Sequence, residues 1–227
     1  MRDRVRKLVY IEPLDMDHFE GWLEEMARKG FLFERMSYWG VVFRRGEPTA
    51  LRYRLEPAGR LWTRESKDYC RELGWDYLGQ AGLHFELYAN PDPEAPELHT
   101  DPVVQSYALE QVAKRAKRTC ILLTALSLVM LVLIFLPFFL LSAPILYQLV
   151  ENPVGGSLLY LILDILSTSM TIRSYRAFFR LRRRLEEGEP PRRDGSWKTA
   201  ARWQRAVSWI LLPLCVLYLG ALAVTTT

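Results

Sequence analysis

Asp164 has the greatest chemical leverage in this sequence, because it sits inside an apolar run, VGGSLLYLILDILSTSMTI at 154–172, where an ionised carboxylate is costly. Helical spacings of three and four put Tyr160, Asp164, Ser167 and Thr168 on one face of that run. A polar face at membrane depth serves either a signal or ion response or the packing of spans and subunits. A second set is basic: Arg180, Arg182, Arg183, Arg184, Arg192 and Arg193 in FFRLRRRLEEGEPPRRDG. Near an anionic lipid surface each arginine contributes about 1 kcal/mol, and the same charges would serve equally well as a topology determinant. Four tryptophans, Trp22, Trp39, Trp62 and Trp75, form a third set, able to line a groove for an apolar ligand or peptide or simply to pack a small sheet domain.

Other chemistry finds little support. His18, His84 and His99 are not spaced as metal ligands, and Cys70, Cys120 and Cys215 are scattered, with no C-x-x-C pair; buried small hydrophobes are the natural reading of all three cysteines. No H-E-x-x-H, G-x-S-x-G, Walker-type or dinucleotide signature occurs. The sequence therefore names no catalytic residue, no metal ligand and no cofactor.

These residues must be positioned by two kinds of element. Residues 119–141, TCILLTALSLVMLVLIFLPFFLL, are free of charge and long enough to cross about 30 Å of hydrocarbon as a helix. The run at 154–172 and a third at 206–224 are the further expected spans. Between them, residues 173–205 carry 11 Lys/Arg against 4 Asp/Glu, while the connection 142–153 has no Lys or Arg. The positive-inside rule then predicts a multi-pass protein of the cell membrane. Its N-terminal domain and the basic loop 173–205 are expected in the cytoplasm, and its C-terminus outside. The N-terminus has no continuous apolar core and reads as no signal peptide.

The first 91 residues alternate periods. LDMDHFEGWLEEMARKG has apolar residues at helical spacing, with Asp15 or Asp17 as a cap and Gly30 as a stop. FLFERMSY and the stretch from Val41 follow as strands. ALRYRLEP sets Leu51, Tyr53 and Leu55 against Arg52, Arg54 and Glu56, the alternation of a sheet with one covered face. TRESKDYCRELG is a second helix, and WDYLGQ and LHFELYA two more strands. The expected fold class is α+β, two βαββ units with antiparallel strands and helices on one face, or two sheets packed together. An all-α region of three transmembrane helices follows. Matched features at 27–48 and 70–91 suggest internal duplication. DPEAPELHTDP reads as a linker, and VVQSYALEQVAKRAKR as a juxtamembrane helix able to run unbroken into the first span, together filling 92–118.

Several of these stretches resemble one family, the bacterial proteins with domain of unknown function 2812. The resemblance is carried by Glu20-Gly21-Trp22-Leu23-Glu24-Glu25-Met26-Ala27-Arg28-Lys29-Gly30 and Phe31, by Gly46-Glu47-Pro48 and Tyr53-Arg54-Leu55-Glu56, and by Gly74-Trp75-Asp76-Tyr77-Leu78-Gly79, Phe85 and Thr100-Asp101. It covers residues 5–115; Gln80 departs from the usual small or aromatic residue. The resemblance implies a membrane-anchored cytoplasmic domain of the Firmicutes type, often encoded beside PadR-type regulators, and it supplies no reaction and no catalytic residues. The functional expectation is a membrane-tethered interaction or sensing module, with anionic lipid and a protein partner or a second copy as partners. An accessory transporter subunit or small oligomeric transporter is the alternative, and a membrane-associated enzyme comes third. Nucleic acid is not an expected partner, because the first hundred residues carry more acid than base.

Overall fold

The computed structural model describes residues 4–8, 11–37, 40–58, 64–141, 157–191, 197–199, 201–202, 205–206, 209 and 213. The chain divides into two compact units, one of residues 1–115 with 174–201, the other of 116–173 with 202–227.

The first unit is α+β. Strand β1 (Arg4–Lys7), helix α1 (Met16–Arg28) and strands β2 (Phe31–Ser37) and β3 (Gly40–Arg45) are followed by β4 (Arg52–Pro57), α2 (Arg64–Glu72), β5 (Asp76–Ala81) and β6 (Phe85–Asn90). The strands form two antiparallel three-stranded sheets, ordered β1-β3-β2 and β4-β6-β5. In each sheet the last strand to be made lies in the middle, so the β-α-β-β order occurs twice with the same pairing. The agreement extends to fine detail. Register shifts fall between Phe33 and Arg35 in β2 and between Tyr77 and Gly79 in β5, the same distance beyond Gly30 and Gly74. Both glycines end a helix at positive φ, +76° and +82°, a conformation that disfavours any side chain. At Gly30 an added Cβ would also lie 2.6 Å from the Gly46 carbonyl oxygen.

One apolar cluster holds this unit together. Phe19, Leu23 and Ala27 of α1 meet Phe33, Val41 and Phe43 of the first sheet and Leu55, Phe85 and Leu87 of the second. The periodicities that predict helix and strand are the faces that fill this core. Asp15 occupies the N-cap position of α1, but its carboxylate engages the His18 ring at 2.7 Å and caps no backbone amide.

Three boundaries differ from the sequence reading. The 92–101 stretch, expected as a linker, is a strap fastened to the second sheet. The juxtamembrane helix is interrupted at Leu109, giving α3 (Pro102–Ala108) and α4 (Glu110–Leu141), and Leu109, Val112 and Ala113 are buried in the core. The basic stretch after residue 173, expected as a loop, is helical as far as Glu186, because helix α5 (Ser157–Glu186) continues through it. Phe178, Leu181 and Leu185, spaced on one helix face, enter the core of the first unit, as do Trp197 and Ala201. Phe178 lies 6.5 Å from Phe85, ring centre to ring centre. Arg184 pairs with Asp17 at 2.9 Å, and Trp197 Nε1 donates to Glu25 Oε2 at 3.1 Å.

Helix α4, which runs from the first unit into the second, carries the segment Glu110–Leu133, the one candidate membrane span among the described residues, whose most apolar 18 residues have mean hydropathy 1.8. Ile121, Leu122, Val132 and Leu133 are more than half exposed there, an apolar surface that water disfavours. Residues 157–172 are helical within α5, without α5 meeting the same test; most of 206–224 lies outside the described residues.

Candidate functional site

The densest polar arrangement lies around Arg54 on β4, a residue with only 7% of its side chain exposed. Its Nε and Nη2 engage both oxygens of Glu97 at 2.7 Å each, while Nη1 donates to Glu24 at 3.1 Å and to the Tyr53 carbonyl at 2.6 Å. Glu20 stands 3.8 Å away. Burial works against the charge on Arg54, but the Glu97 hydrogen bonds and the carboxylates of Glu20, Glu97 and Glu24 more than offset it and hold the guanidinium above its ordinary value. The two α1 glutamates do further work. β4 is an edge strand, and its Leu55 and Tyr53 amides donate to Glu20 at 2.9 Å and Glu24 at 3.4 Å. Helix α1 thus closes an edge that would otherwise invite another strand.

The strap is held by the same strand. Arg52 donates to the Ala95 carbonyl at 2.6 Å and to that of Pro93 at 3.3 Å, and it pairs with Glu97. Trp75 Nε1 donates to the Pro96 carbonyl at 3.0 Å, beneath the Arg52 and Arg54 guanidinium groups, which lie 5.2 and 5.5 Å from its ring centre. His99 Nε2 meets Glu56 Oε2 at 2.9 Å. Asp101 then caps α3 by accepting from the Val103 amide at 2.8 Å.

Between these parts lies a cavity of about 370 Å³. Strand β4 supplies Arg54 and Glu56, the strap Glu97 and His99, α3 Gln105, and the segment after α5 the pair Pro190 and Pro191. Burial raises the Glu56 carboxyl above its usual range against the opposing pull of His99. For His99, burial alone would lower the imidazole, but the hydrogen bond and charge of Glu56 prevail and raise it.

Residues 15–123 match the family model described as protein of unknown function, DUF2812. Those residues form a DUF2812 domain, which spans a little under half of the chain. No curated protein and no solved structure matches it. The matched range takes in α1, strands β2 to β6, the strap and α3, and so all of the cavity wall except Pro190 and Pro191.

The structure treats the sequence-predicted residues of this chain unequally. Trp22 and Trp75 are buried: Trp22 packs edge-on against Phe43 at 5.5 Å, and Trp75 is covered by the strap. Trp39 and Trp62 lie outside the described residues. Of the basic set, Arg180 and Arg183 are exposed, with Arg183 joined to Glu187 at 3.0 Å. Arg182 pairs with Glu186 at 3.0 Å, and Arg184 is turned onto Asp17, because it flanks the helix face that enters the core. Arg192 and Arg193 lie outside the described residues. Within the second unit, Asp164 Oδ2 accepts a hydrogen bond from Ser127 Oγ of α4 at 2.6 Å. Thr168 is half-buried and Ser167 exposed; the Tyr160 side chain lies outside the described residues.

Sequence reasoning missed Arg54, Glu56, Glu97, His99 and Gln105. It placed Arg54 and Glu56 on an uncovered sheet face, but both are buried, since α1 and the strap cover that strand. Among the described residues no group of three or more His, Cys, Asp or Glu could hold a metal ion. Cys70 is packed with Trp75 and Tyr88, and burial, aided by Glu56 and Glu86, pushes its thiol up to about 11.

The Glu56–His99 contact makes a pH prediction. A histidine raised on folding contributes stability that is complete below the unfolded value of about 6.5 and is lost as pH rises through its higher folded value. Glu20, Arg54 and Glu97 face the same pair, so the effect is isolated by comparison with a His99→Gln variant. The thermal destabilisation caused by His99→Gln is expected to be larger at pH 6 than at pH 9. A pH-independent difference would show that folding leaves the imidazole's proton affinity unchanged.

Proposed function

We propose that this DUF2812 protein is a membrane-tethered sensing module in which the α+β domain, on the cytoplasmic side, binds a small ligand in the strap cavity. The observation that carries the reading is the origin of the cavity wall. Gln105 belongs to the helix just before α4, and Pro190 and Pro191 lie four and five residues beyond the end of α5, so an occupant touches both segments that lead to the apolar helices. Occupancy would shift the balance between docked and released forms of those segments by its differential affinity for them. The exposed apolar side chains of α4 support insertion of that helix, and the charge-free runs at 154–172 and 206–224 support two further spans with the C-terminus outside. Arg180 and Arg183 suit anionic headgroups on the inner leaflet.

The test uses the full chain in lipid nanodiscs, incubated with low-mass cell extract and washed. Denaturation should release a retained small molecule detectable by mass spectrometry, and amide exchange should slow in 97–105 and 186–191. No retained compound together with unchanged exchange would end the sensing reading. Recovery of a stoichiometric multispan permease from native membranes would favour the accessory-subunit account instead.

A further inference from the structure

We propose that the cavity takes a small organic monocation with an apolar body, an inference that rests on the cavity being the ligand site. The cations around it are already committed. Arg54 directs its donors to Glu97, Glu24 and the Tyr53 carbonyl, Arg52 to the strap carbonyls and Glu97, and His99 meets Glu56. An incoming phosphate or carboxylate would have to break those bonds. Four carboxylates, Glu20, Glu24, Glu56 and Glu97, stand against the guanidinium groups of Arg52 and Arg54 and the outlying Arg28, 3.7 Å from Glu24, so the surroundings are negative while His99 is neutral and gain no positive excess when it is protonated. A carboxylate has about four acceptor sites, and Glu56 on the cavity wall can accept from an ammonium group in addition to His99.

Apart from Thr100 and Gln105, the remaining wall is apolar. Leu98, Pro102, Pro190 and Pro191 offer flat saturated surfaces suited to an aromatic or aliphatic body. The volume of about 370 Å³ is at the small end of ligand sites and accommodates on the order of ten non-hydrogen atoms. Gln105, half-exposed on α3, lies beside this space without belonging to the buried ion pairs, so its charge can be changed without dismantling them.

The experiment is calorimetric titration of the full chain in nanodiscs of zwitterionic lipid with three probes of one shape: benzylamine, benzyl alcohol and benzoate. Benzylamine should bind saturably, at least about tenfold more tightly than either of the others, with empty nanodiscs silent. Both Glu56→Gln, which removes the acceptor charge, and Gln105→Lys, which introduces a like charge, should weaken it by about tenfold or more; Gln105→Lys should melt as the wild type does. If benzyl alcohol or benzoate bound as well as benzylamine, the charge assignment would fall while the cavity remained a ligand site. Absence of binding by every probe, or benzylamine affinity indifferent to Gln105→Lys, would overturn the inference; retention of a compound from extract decides the site reading separately.

Discussion

Replacing Arg54 with methionine is expected to destabilise the α+β unit by about 3–5 kcal/mol, the usual cost of removing one partner from a buried charge group. The reason is specific. Glu20 and Glu24 cannot leave the interior, because their oxygens also receive the Leu55 and Tyr53 amides of the β4 edge. The strap loses the two hydrogen bonds that Glu97 accepts from Arg54 at the same time. For a unit of this size the melting temperature should fall by upward of about 6 °C. Acid should narrow the gap between variant and wild type, since protonation relieves the stranded carboxylates. A melting temperature within 2 °C of wild type, as an approximate limit from the same scaling, would mean that the carboxylates are solvated and the network contributes little. Lysine at the same position is not a conservative control, because it lacks the planar fork that serves two glutamates together.

The second large effect concerns the part of the domain that lies far along the chain. A fragment of residues 1–115 is expected not to form a fixed tertiary structure, whatever helix and strand content it retains. It lacks Phe178, Leu181, Leu185, Trp197 and Ala201, all buried with the core of both sheets. Burial of one large apolar side chain stabilises by about 1.5–3 kcal/mol, and a whole domain has only about 5–15 kcal/mol to lose. The fragment should show far-ultraviolet dichroism without near-ultraviolet signals, and joining 174–201 to it through a flexible linker should restore them. In the full chain, Phe178→Ala alone should cost about 3–5 kcal/mol. A fragment 1–115 with sharp, dispersed amide resonances would show that α5 merely rests on a finished domain.

Helix α1 and strand β4 were legible because the apolar residues of each recur at the period of the element. The repeat was legible too, since Gly30 and Gly74 follow the ends of two helices at the same offset. The candidate site was not. Arg54 and Glu56 alternate with Tyr53 and Leu55 as solvent-facing residues would, and only the contacts of α1 and the strap, both remote in sequence, bury them. His99 and Glu97 lie in a proline-rich acidic stretch whose composition is that of a linker; what fixes it is the pair of arginines on β4. The basic run after residue 173 misled for a related reason. Its arginines dominate the composition, whereas Phe178, Leu181 and Leu185 between them determine where the helix goes.

The scattering of this core along the chain sets an order on biogenesis. A ribosome delivers both sheets early, yet the side chains that complete their packing emerge only after both apolar stretches from 119 to 172 have been made. The nascent domain must therefore wait, half assembled, until its own tail is synthesised, and chaperone dependence should be greatest during that interval.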